Sequence, residues 1–398
     1  MCSICGSTHL DKDSIELIAN AKERGSDYFG LSQYSGAWIA NCRATPTTEA
    51  ENAENNQPFG SRYKIVHNGT ISNDKELGIK EGEIDSVVLA RCLNVDTEYS
   101  IRDSLKKVVG SYAIAILKPN NELFLACNYK PLWFSVNADV FSFSSYKEHL
   151  KGNPQRVPPY SVMNVQTGNI IPIKRTQPNR AIIIHSGGLD STAVIGYAQK
   201  QHDEILLLHF DYGCKATARE IKAVKAIAKE VGCESQIINI DYSMLKGDSP
   251  LLSNTKTVSK GIEGAEYAHE WVPARNLLLL SYSVAYAEAN KYGYVYLGTN
   301  LEEGGAYPDN EEQFIRDFNS CLYGAVQNGI KVEIRTPLGN LMKKDIVLFG
   351  ETNGSPLHLS YSCYIGEEEH CGECGPCFMR KTAYNRAGVK DPTAYKKG

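Results

Sequence analysis

The sequence predicts two domains of different fold class, an α+β domain followed by an α/β domain. Short strand-like runs joined by polar turns, such as residues 118–121 (KPNN), fill the first part and favour antiparallel sheets. From about residue 180, strand, glycine turn and helix alternate, which is typical of a parallel sheet with helices on both faces. Between them, residues 151–179 are rich in Pro, Asn, Gln and Gly and indicate a domain boundary.

The composition is that of an ordinary globular protein, with 42% hydrophobic and 22% charged residues. No apolar run is long enough to cross a membrane, and the start lacks the pattern of a signal peptide. We therefore expect a cytoplasmic location, in the cell or in an infected host. Twelve cysteines then favour metal binding, catalysis or burial over disulfides. A net charge of −4 gives no global basic field, although a local basic groove is compatible with it.

Hydrophobic patterns place the elements of both domains. In the first domain we expect helices at 12–23 and 84–93 and strands at 64–66, 112–117, 123–127 and 161–165. In the second we expect strands at 181–184, 205–210, 236–240 and 294–297, and helices ending at 200 and spanning 217–231, 274–291 and 310–328.

The chain begins MCSICGS, so removal of Met1 would make Cys2 the first residue. An α-amino group has a pKa of about 7.7–8.0 and a thiol one of about 8.5, so the two can exchange a proton near neutral pH. Cys2 would then be a nucleophile that carries its own base. Taken alone, this start is equally compatible with chance in a cysteine-rich chain.

Further segments follow in a characteristic order: 23–27 (ERGSD), 41–45 (NCRAT), 66–73 (VHNGTISN), 83–86 (EIDS) and 110–114 (GSYAI). Together with Cys2 they resemble the class II glutamine amidotransferases, which are N-terminal-nucleophile hydrolases. Residues 127–132 (CNYKPL) are similar to a segment of asparagine synthetases. The resemblance implies an amidotransferase domain at 2–165 with the N-terminal-nucleophile sandwich fold, followed by a linker at 166–179.

This resemblance also implies roles for five residues. Cys2 would attack the side-chain amide of glutamine, Arg43 would bind its α-carboxylate, and Asp85 would bind its α-ammonium. The Asn68 side chain and the Gly69 backbone N–H would form the oxyanion hole. A guanidinium fork fits a carboxylate, and glycine permits close approach of the backbone. Singly, Arg43 is also compatible with a surface salt bridge, and Asn68-Gly69 with a plain turn.

A glycine-rich turn, SGGLDS at 186–191, stands between a buried strand and a helix, where backbone N–H groups and the helix dipole favour an anion. It matches neither a Walker loop nor the Gly-x-Gly-x-x-Gly pattern. It resembles the PP-loop of ATP pyrophosphatases, which have the adenine nucleotide alpha hydrolase-like fold. That resemblance implies ATP, with pyrophosphate held by Ser186, Gly187, Gly188 and Ser191, and Asp190 near Mg²⁺. A glycine turn without a ligand is the alternative.

Four cysteines, Cys363, Cys371, Cys374 and Cys377, have the spacing C-x7-C-x2-C-x2-C within residues 363–377. Four thiolates complete a tetrahedral Zn²⁺ site and leave no open position, which is typical of structural zinc. An iron–sulfur cluster is the alternative, because thiolates hold these as well. We expect His370 to be a neighbour of this zinc knuckle and not a ligand.

The chain from 180 to 398 contains six further motifs: 210–213 (FDYG), 272–276 (VPARN), 298–300 (GTN), 307–309 (YPD), 313–315 (QFI) and 391–395 (DPTAY). With the PP-loop and the cysteines, they resemble the 7-cyano-7-deazaguanine synthases. The resemblance implies that Asp309 binds a guanine-like base and that Arg275 and Asn276 lie beside the active site. One departure is notable: the family usually has Gln-Arg-His where this chain has residues 214–216 (CKA).

The two-domain arrangement resembles the amidotransferase–synthase fusions that make archaeosine-type bases. It implies that ammonia from glutamine adds to the nitrile of 7-cyano-7-deazaguanine within DNA or tRNA and gives a formamidine. One alternative is synthesis of free 7-cyano-7-deazaguanine from the carboxylate, with ATP. Others are a non-catalytic module that holds modified nucleic acid, and a different PP-loop amidation. No membrane partner is expected, and a homo-oligomer is compatible with the sequence.

Overall fold

The computed structural model describes residues 2–23, 25, 27–44, 53–242, 249–253, 256–262, 270–304, 307–327 and 329–396. Met1 and parts of two predicted motifs, at positions 24, 26 and 45, lie outside these residues. The chain divides into a first unit, Met1–Thr176 with Gln327–Gly329, and a second unit, Gln177–Val326 with Ile330–Gly398. Among the described residues, no helix is both long and apolar enough to span a membrane.

The first unit contains two antiparallel sheets. Its strands are β1 (Ser3–Ser7), β2 (Tyr28–Tyr34), β3 (Ala37–Arg43), β4 (Lys64–Ile71), β5 (Gly110–Leu117), β6 (Leu123–Cys127), β7 (Trp133–Asn137), β8 (Val140–Ser144), β9 (Gln155–Arg156), β10 (Ser161–Asn164) and β11 (Ile170–Pro172). One sheet has the order β2-β3-β1-β8-β7-β9, and the other has the order β11-β10-β6-β5-β4. Both arise from short alternating strands joined by tight turns, as predicted.

The two sheets pack face to face over a shared core. Alternate residues of a strand point to opposite faces, so Ile39 of β3 meets Ala115 of β5 and Leu125 of β6 in this core. Trp38 of β3 faces the other way and packs against α1 (Lys12–Lys22). Two more helices, α2 (Asp85–Cys92) and α3 (Glu98–Leu105), lie against strands of the second sheet. The first unit is therefore a two-sheet sandwich with flanking helices.

Local sequence accounts for the ends of these elements. Helix α1 begins after Asp11, whose carboxylate accepts the Ser14 N–H at 2.9 Å while the Ser14 hydroxyl accepts the Asp11 N–H at 3.2 Å. Within the segment predicted as a linker, β11 pairs with β10 because Ile171 is buried beside Val162. The predicted helices at 12–23 and 84–93 are confirmed as α1 and α2.

The second unit is built on a five-stranded parallel sheet, which confirms the predicted alternation of strands and helices. Its strands are β12 (Arg180–Ile184), β13 (Glu204–Asp211), β14 (Glu234–Asn239), β15 (Tyr294–Tyr296) and β16 (Glu333–Arg335). Its helices are α4 (Leu189–Gln201), α5 (Thr217–Val231), α6 (Arg275–Asn290), α7 (Leu301–Gly304), α8 (Glu312–Ala325), α9 (Lys343–Asn353) and α10 (Gly375–Ala387).

The sheet has the order β14-β13-β12-β15-β16, with a core on each face. Ile183 packs towards α4, α5, α9 and α10, whereas Ile182 packs towards α6 and α8. The chain runs outwards from β12 to β14 and then returns to β15 on the other side of β12. Such a reversal opens a crevice at the carboxyl ends of β12 and β15, which is where doubly wound sheets bind ligands.

Candidate active sites

Strand pairing brings Cys2 and Arg43 to the same end of the first sheet. β1 and β3 are antiparallel, and Ser3 lies opposite Cys42, so Cys2 is level with the residue that follows Cys42. Cys2 is partly buried, and its Sγ lies 3.9 Å from the carbonyl oxygen of Ala44. The predicted nucleophile therefore stands at a strand end beside the predicted carboxylate-binding arginine.

A side-chain amide connects this strand end to the second sheet. Asn41 is fully buried, and its Nδ2 donates to the Ser3 carbonyl of β1 and to the His67 carbonyl of β4, both at 3.4 Å. One amide thus crosses between the facing sheets. It fixes the start of β1 against the part of β4 that carries the predicted oxyanion hole.

The Ser145 hydroxyl makes a second connection of the same kind. It accepts the backbone N–H of Ile4 at 3.0 Å and an N–H of the Asn68 side chain at 3.1 Å. The Asn68 amide has two N–H groups, so one is available for an oxyanion. At Gly69, an added Cβ would lie 2.0 Å from the Ser111 carbonyl oxygen, so only glycine fits there.

Arg43 and Asp85 are held near one another by Asn55. Arg43 is 5% exposed, and its Nη1 donates to the Asn55 carbonyl at 3.2 Å and to Asn56 Oδ1 at 3.0 Å. Asn55 Oδ1 accepts the N–H of Ile84, the residue before Asp85. Among the described residues, Arg43 has no carboxylate partner within ion-pair distance, which fits a group that binds the carboxylate of a substrate.

Both oxygens of Asp85 accept backbone N–H groups, from Ile71 at 2.6 Å and from Ser86 at 2.8 Å. Next to it lies His67, 1% exposed, whose Nδ1 is 2.8 Å from the Ser86 hydroxyl and whose Nε2 is 3.3 Å from the Ser111 carbonyl. Burial lowers the pKa of His67, so its ring is neutral and positions Ser86. The sequence singled out His67 only as part of the His-Asn-Gly segment.

In the second unit, the predicted PP-loop begins at the carboxyl end of β12 and leads into α4. Gly187 has φ +81° and lies so close to Glu220 that a Cβ would be 2.9 Å from its carbonyl oxygen. The Gly187 N–H donates to His185 Nδ1 and the Gly188 N–H to Ser186 Oγ, both at 3.2 Å. The loop is thus held by its own hydrogen bonds.

A buried ion network lies at the start of α4. Lys343 of α9 forms an ion pair with Asp190, and its Nζ lies 2.8 Å from Glu303 Oε1. Burial alone would lower the pKa of Lys343, but the two carboxylates outweigh it and raise that pKa. Asn300 Nδ2 donates to Asp190 Oδ2 at 3.3 Å, while buried Asp190 Oδ1 has no partner in the described part of the chain. Lys343 belongs to no motif and was missed in the sequence.

A cavity of about 230 Å³ lies at the carboxyl ends of β12, β13 and β15. Ser186, Gly188, Asp190 and Ser191 of the PP-loop line it together with Arg275 and Asn276, whereas Gly187 does not. Asp309 does not line it: its carboxylate accepts the Asn276 N–H at 3.2 Å, and Asn276 in turn donates to Asn310 at 2.6 Å. Asp309 therefore positions Asn276 in this structure.

The departure at residues 214–216 lies behind the wall of this cavity. Cys214 is 8% exposed, and its Sγ donates to Glu220 Oε2 at 3.6 Å. Glu220 lines the cavity, and burial raises its pKa to about 7. A carboxyl group of this kind exchanges a proton near neutral pH, as general acids and bases do.

The sulfur atoms of Cys363, Cys371, Cys374 and Cys377 all lie within 4.8 Å of one another. Four ligands at the usual Zn–S distance of about 2.3 Å have sulfurs about 3.8 Å apart, so the cluster fits one tetrahedral ion. The Cys371 N–H donates to Cys363 Sγ at 3.4 Å. His370 Nε2 accepts the Ser362 N–H at 2.9 Å, which turns it away from a ligand role.

Comparisons with known proteins decide the family. A family model described as queuosine biosynthesis protein QueC matches residues 180–388, and one for a glutamine amidotransferase domain matches residues 44–152. A protein of Saccharolobus solfataricus named 7-cyano-7-deazaguanine synthase is 37% identical over 99% of both chains. One of that name from Sulfolobus acidocaldarius is also 37% identical, over 99% of this chain and 100% of its own.

This chain belongs to the 7-cyano-7-deazaguanine synthase family. Some members of the family are shorter. The synthase of Methanothrix thermoacetophila is 36% identical over 54% of this chain and 98% of its own length. The comparisons confirm that the protein is an enzyme of the deazaguanine synthase type with a glutamine amidotransferase domain and a QueC domain. The amidotransferase domain makes glutamine a substrate.

Proposed function

We propose that this deazaguanine synthase family member transfers the amide nitrogen of glutamine to the nitrile of 7-cyano-7-deazaguanine within DNA or tRNA. The product is a formamidine, as in the archaeosine-type bases. The observation that carries the proposal is the amidotransferase unit, because the Methanothrix protein named as a synthase matches only 54% of this chain. The additional domain would supply the proposed addition with ammonia released from glutamine.

The first unit would act as an N-terminal-nucleophile hydrolase. Cys2 Sγ attacks the carboxamide carbon of glutamine, while Arg43 and Asp85 hold the α-carboxylate and α-ammonium groups. The tetrahedral oxyanion takes hydrogen bonds from the second N–H of Asn68 and the N–H of Gly69. The α-amino group of Cys2 passes the thiol proton to the leaving nitrogen, ammonia departs, and water hydrolyses the thioester. The antiparallel register beside Arg43 and the two hydrogen bonds of Ser145 support this arrangement.

The second unit would use that ammonia. Ammonia adds across the nitrile, R–C≡N, to give R–C(=NH)–NH₂, and this addition balances without ATP. Arg275 and Asn276 would contact the deazaguanine base in the cavity, with Asp309 positioning Asn276. Glu220 would exchange the proton that moves from ammonia to the nitrile nitrogen, since burial brings its pKa to about 7.

The donor sets fit two kinds of cofactor. Four converging thiolates with no other donor suit structural Zn²⁺, held by the four cysteines of the cluster. The PP-loop suits ATP with Mg²⁺, because Asp190 Oδ1, which has no partner in the described part of the chain, is a hard oxygen ligand in the same loop as Ser186, Gly187, Gly188 and Ser191. When bound, ATP supplies adenylation of a carboxylate.

The second candidate is the ATP-dependent synthesis of free 7-cyano-7-deazaguanine from the 7-carboxylate, with ammonia from glutamine. Two observations favour it. The relatives that match the whole chain carry the synthase name. The second unit also keeps a complete PP-loop beside a buried, unpaired carboxylate oxygen of Asp190. This reaction consumes ATP, whereas the addition to a nitrile does not.

Isotope transfer separates the two. Purified protein receives glutamine labelled with ¹⁵N in the amide and either an oligonucleotide carrying 7-cyano-7-deazaguanine or the free 7-carboxylate with ATP. We expect label in a formamidine of the oligonucleotide. Label only in free nitrile would replace the leading proposal by the second candidate.

Cys2→Ala tests the glutaminase step in the same assay. We expect glutamine-dependent transfer to fall on the order of 10³-fold or more, as when a catalytic nucleophile is removed, while added ammonium salt restores it. Cys92→Ala, an exposed cysteine outside the site, is the matched control and should retain activity. Glutamine consumption that survives Cys2→Ala would contradict the assignment. Nucleoside analysis of DNA and tRNA from cells carrying either form identifies the acceptor.

A further inference from the structure

Two buried histidines, His185 and His209, lie beneath the PP-loop at the ends of neighbouring strands β12 and β13. Each is 1% exposed, and both line the cavity at the carboxyl ends of the strands. The glutaminase and transfer steps described above use neither. Their hydrogen bonds fix which ring nitrogen of each carries hydrogen, and this assigns them different roles.

His185 is fully occupied by the loop itself. Its Nδ1 accepts the backbone N–H of Gly187 at 3.2 Å, so this nitrogen bears the lone pair. Burial lowers its pKa to about 3, which leaves the ring neutral with its hydrogen on Nε2. That hydrogen points to Thr192 Oγ1 at 3.3 Å. His185 therefore shapes the PP-loop and has no atom to offer a ligand.

His209 has the opposite tautomer. Its Nδ1 lies 2.9 Å from the carbonyl oxygen of His185, and a carbonyl only accepts, so Nδ1 carries the hydrogen. Burial lowers the pKa of His209, and the neutral ring leaves a lone pair on Nε2. Nε2 is buried and has no hydrogen-bond partner within the described ranges. The side chain of His209, which lines the cavity, thus carries an acceptor atom in a fixed tautomer that has no partner within the described ranges.

An unpaired buried acceptor is destabilising, so a ligand that supplies an N–H or O–H donor gains affinity there. A purine with an exocyclic amino group is such a donor. A purine with a carbonyl oxygen in that place would bring a second acceptor against the ring nitrogen, and the two acceptors cannot form a hydrogen bond. We propose that His209 Nε2 accepts a hydrogen bond from the exocyclic amino group of a purine-type base and selects for that group. The inference rests on the proposed function, in that the cavity takes a purine-type ligand.

Two ligands carry this chemistry, and paired analogues separate them. Calorimetry on the full-length protein would compare ATP with purine riboside triphosphate, which lacks the amine, and 7-cyano-7-deazaguanine with its 2-deamino analogue. In the wild type we expect loss of the amine to weaken binding about tenfold in one of the two pairs. In His209→Leu this tenfold difference should disappear, because the variant has no acceptor.

Two further variants separate recognition from folding. His209→Gln keeps an acceptor oxygen and should retain part of the discrimination. His202→Leu is the matched control: it also removes a buried histidine of the second unit, but both ring nitrogens of His202 are bonded, to Asn179 at 2.9 Å and to Tyr296 at 2.8 Å. It should keep the full tenfold difference whatever its cost in stability.

The outcomes distinguish this inference from the proposed function. Binding of ATP or of the deazaguanine with no amine dependence in either wild-type pair would overturn the role of His209 alone. Equal amine dependence in the wild type and in His209→Leu would do the same. Failure of the wild type to bind either purine would overturn both the inference and the ligands proposed for the cavity. The wild-type comparison stands even if His209→Leu does not fold.

Discussion

The two candidate sites differ in how the surrounding protein bonds their polar side chains. In the first unit, the side chains proposed to bind glutamine are held in place by the framework: Asp85 accepts two backbone N–H groups, and Nη1 of Arg43 donates to two amide oxygens. In the second unit, Asp190 and Lys343 form a largely buried ion pair, and Asp190 Oδ1 and His209 Nε2 have no hydrogen-bond partner among the described residues. In the first unit, the strands position the side chains of the site. In the second unit, the side chains of the site also stabilise the fold. Substitutions should therefore change rate in the first unit and stability in the second.

The cysteine cluster should show the largest effect on stability. We expect about one zinc per chain and its loss in Cys374→Ser, with a marked fall in the unfolding temperature, because structural zinc contributes on the order of 10 kcal/mol in zinc-finger peptides. Elemental analysis and thermal unfolding measure both. Cys321→Ser is the control, since Cys321 is exposed and outside the cluster. Zinc retained in Cys374→Ser would contradict the site, and iron with sulfide would identify an iron–sulfur cluster.

Lys343→Met should have the next largest effect. It removes the cation from the largely buried carboxylate of Asp190 and the partly exposed carboxylate of Glu303, and breaking a buried ion pair costs about 3–5 kcal/mol. Urea unfolding measures the loss. Lys344→Met is the control on the adjacent residue. Lys344 is half exposed and makes a loose ion pair with Asp345, at 3.9 Å, so its loss should lower the free energy of unfolding by less than about 1 kcal/mol. Equal losses of stability in the two variants would mean that Lys343 stabilises the second unit no more than an exposed lysine does, which would contradict the expected contrast with the first unit.

Asn68→Ala tests whether a substitution in the first unit lowers the rate of glutamine hydrolysis more than it lowers stability. Loss of one oxyanion-hole donor should lower kcat for glutamine hydrolysis about 10²–10³-fold with little change in KM. Stability should fall by only about 1 kcal/mol, for the lost hydrogen bond to Ser145. Asn73→Ala also removes a hydrogen bond donated by a side-chain amide, here to the backbone carbonyl of Lys107, and should leave kcat unchanged. A fall in stability without a fall in kcat would place Asn68 in the framework and not in the oxyanion hole.

Glu220 should give the smallest effect, seen in the pH dependence of stability. Burial raises its folded pKa from an ordinary value near 4.5 to about 7, so the folded state binds a proton that the unfolded state releases. The free energy of unfolding should therefore fall by about 1–3 kcal/mol as pH rises from about 4.5 to about 7, and level off above. Urea unfolding across this window measures it.

The matched variant is Glu220→Gln, which should flatten the profile between these pH values because an amide does not titrate. A slope that persists in Glu220→Gln would assign the pH dependence to another group.

Sequence patterns predicted the regular elements well where they were long and strongly periodic. The alternation that predicted a strand at 205–210 and a helix at 217–231 gave β13 and α5. The misses include α3, which has eight residues, β2 and β3, which have seven each, and β11, which has three. Such segments are decided by neighbours, as when Ile171 of β11 is buried against β10. Periodicity over so few residues carries too little information to compete with tertiary contacts.

The candidate sites were predictable only where a motif marked them. The cysteine spacing and the SGGLDS turn located a four-cysteine cluster and a cavity edge that the structure contains. Lys343 and His209 carry no local signal. Lys343 meets Asp190 from 153 residues away, and the acceptor on His209 Nε2 depends on a hydrogen bond to the neighbouring strand. Roles of this kind arise from folding and cannot be read from adjacent residues.

The position of β1 has a consequence for synthesis on the ribosome. This strand leaves the exit tunnel long before β8, one of its two neighbours, where Cys5 lies opposite Ser144. The edge of β1 that pairs with β8 therefore stays unpaired until β8, some 140 residues further along the chain, has been translated. The segment bearing the proposed nucleophile is thus made long before that side of β1 is paired, and it stays accessible on the ribosome during this time.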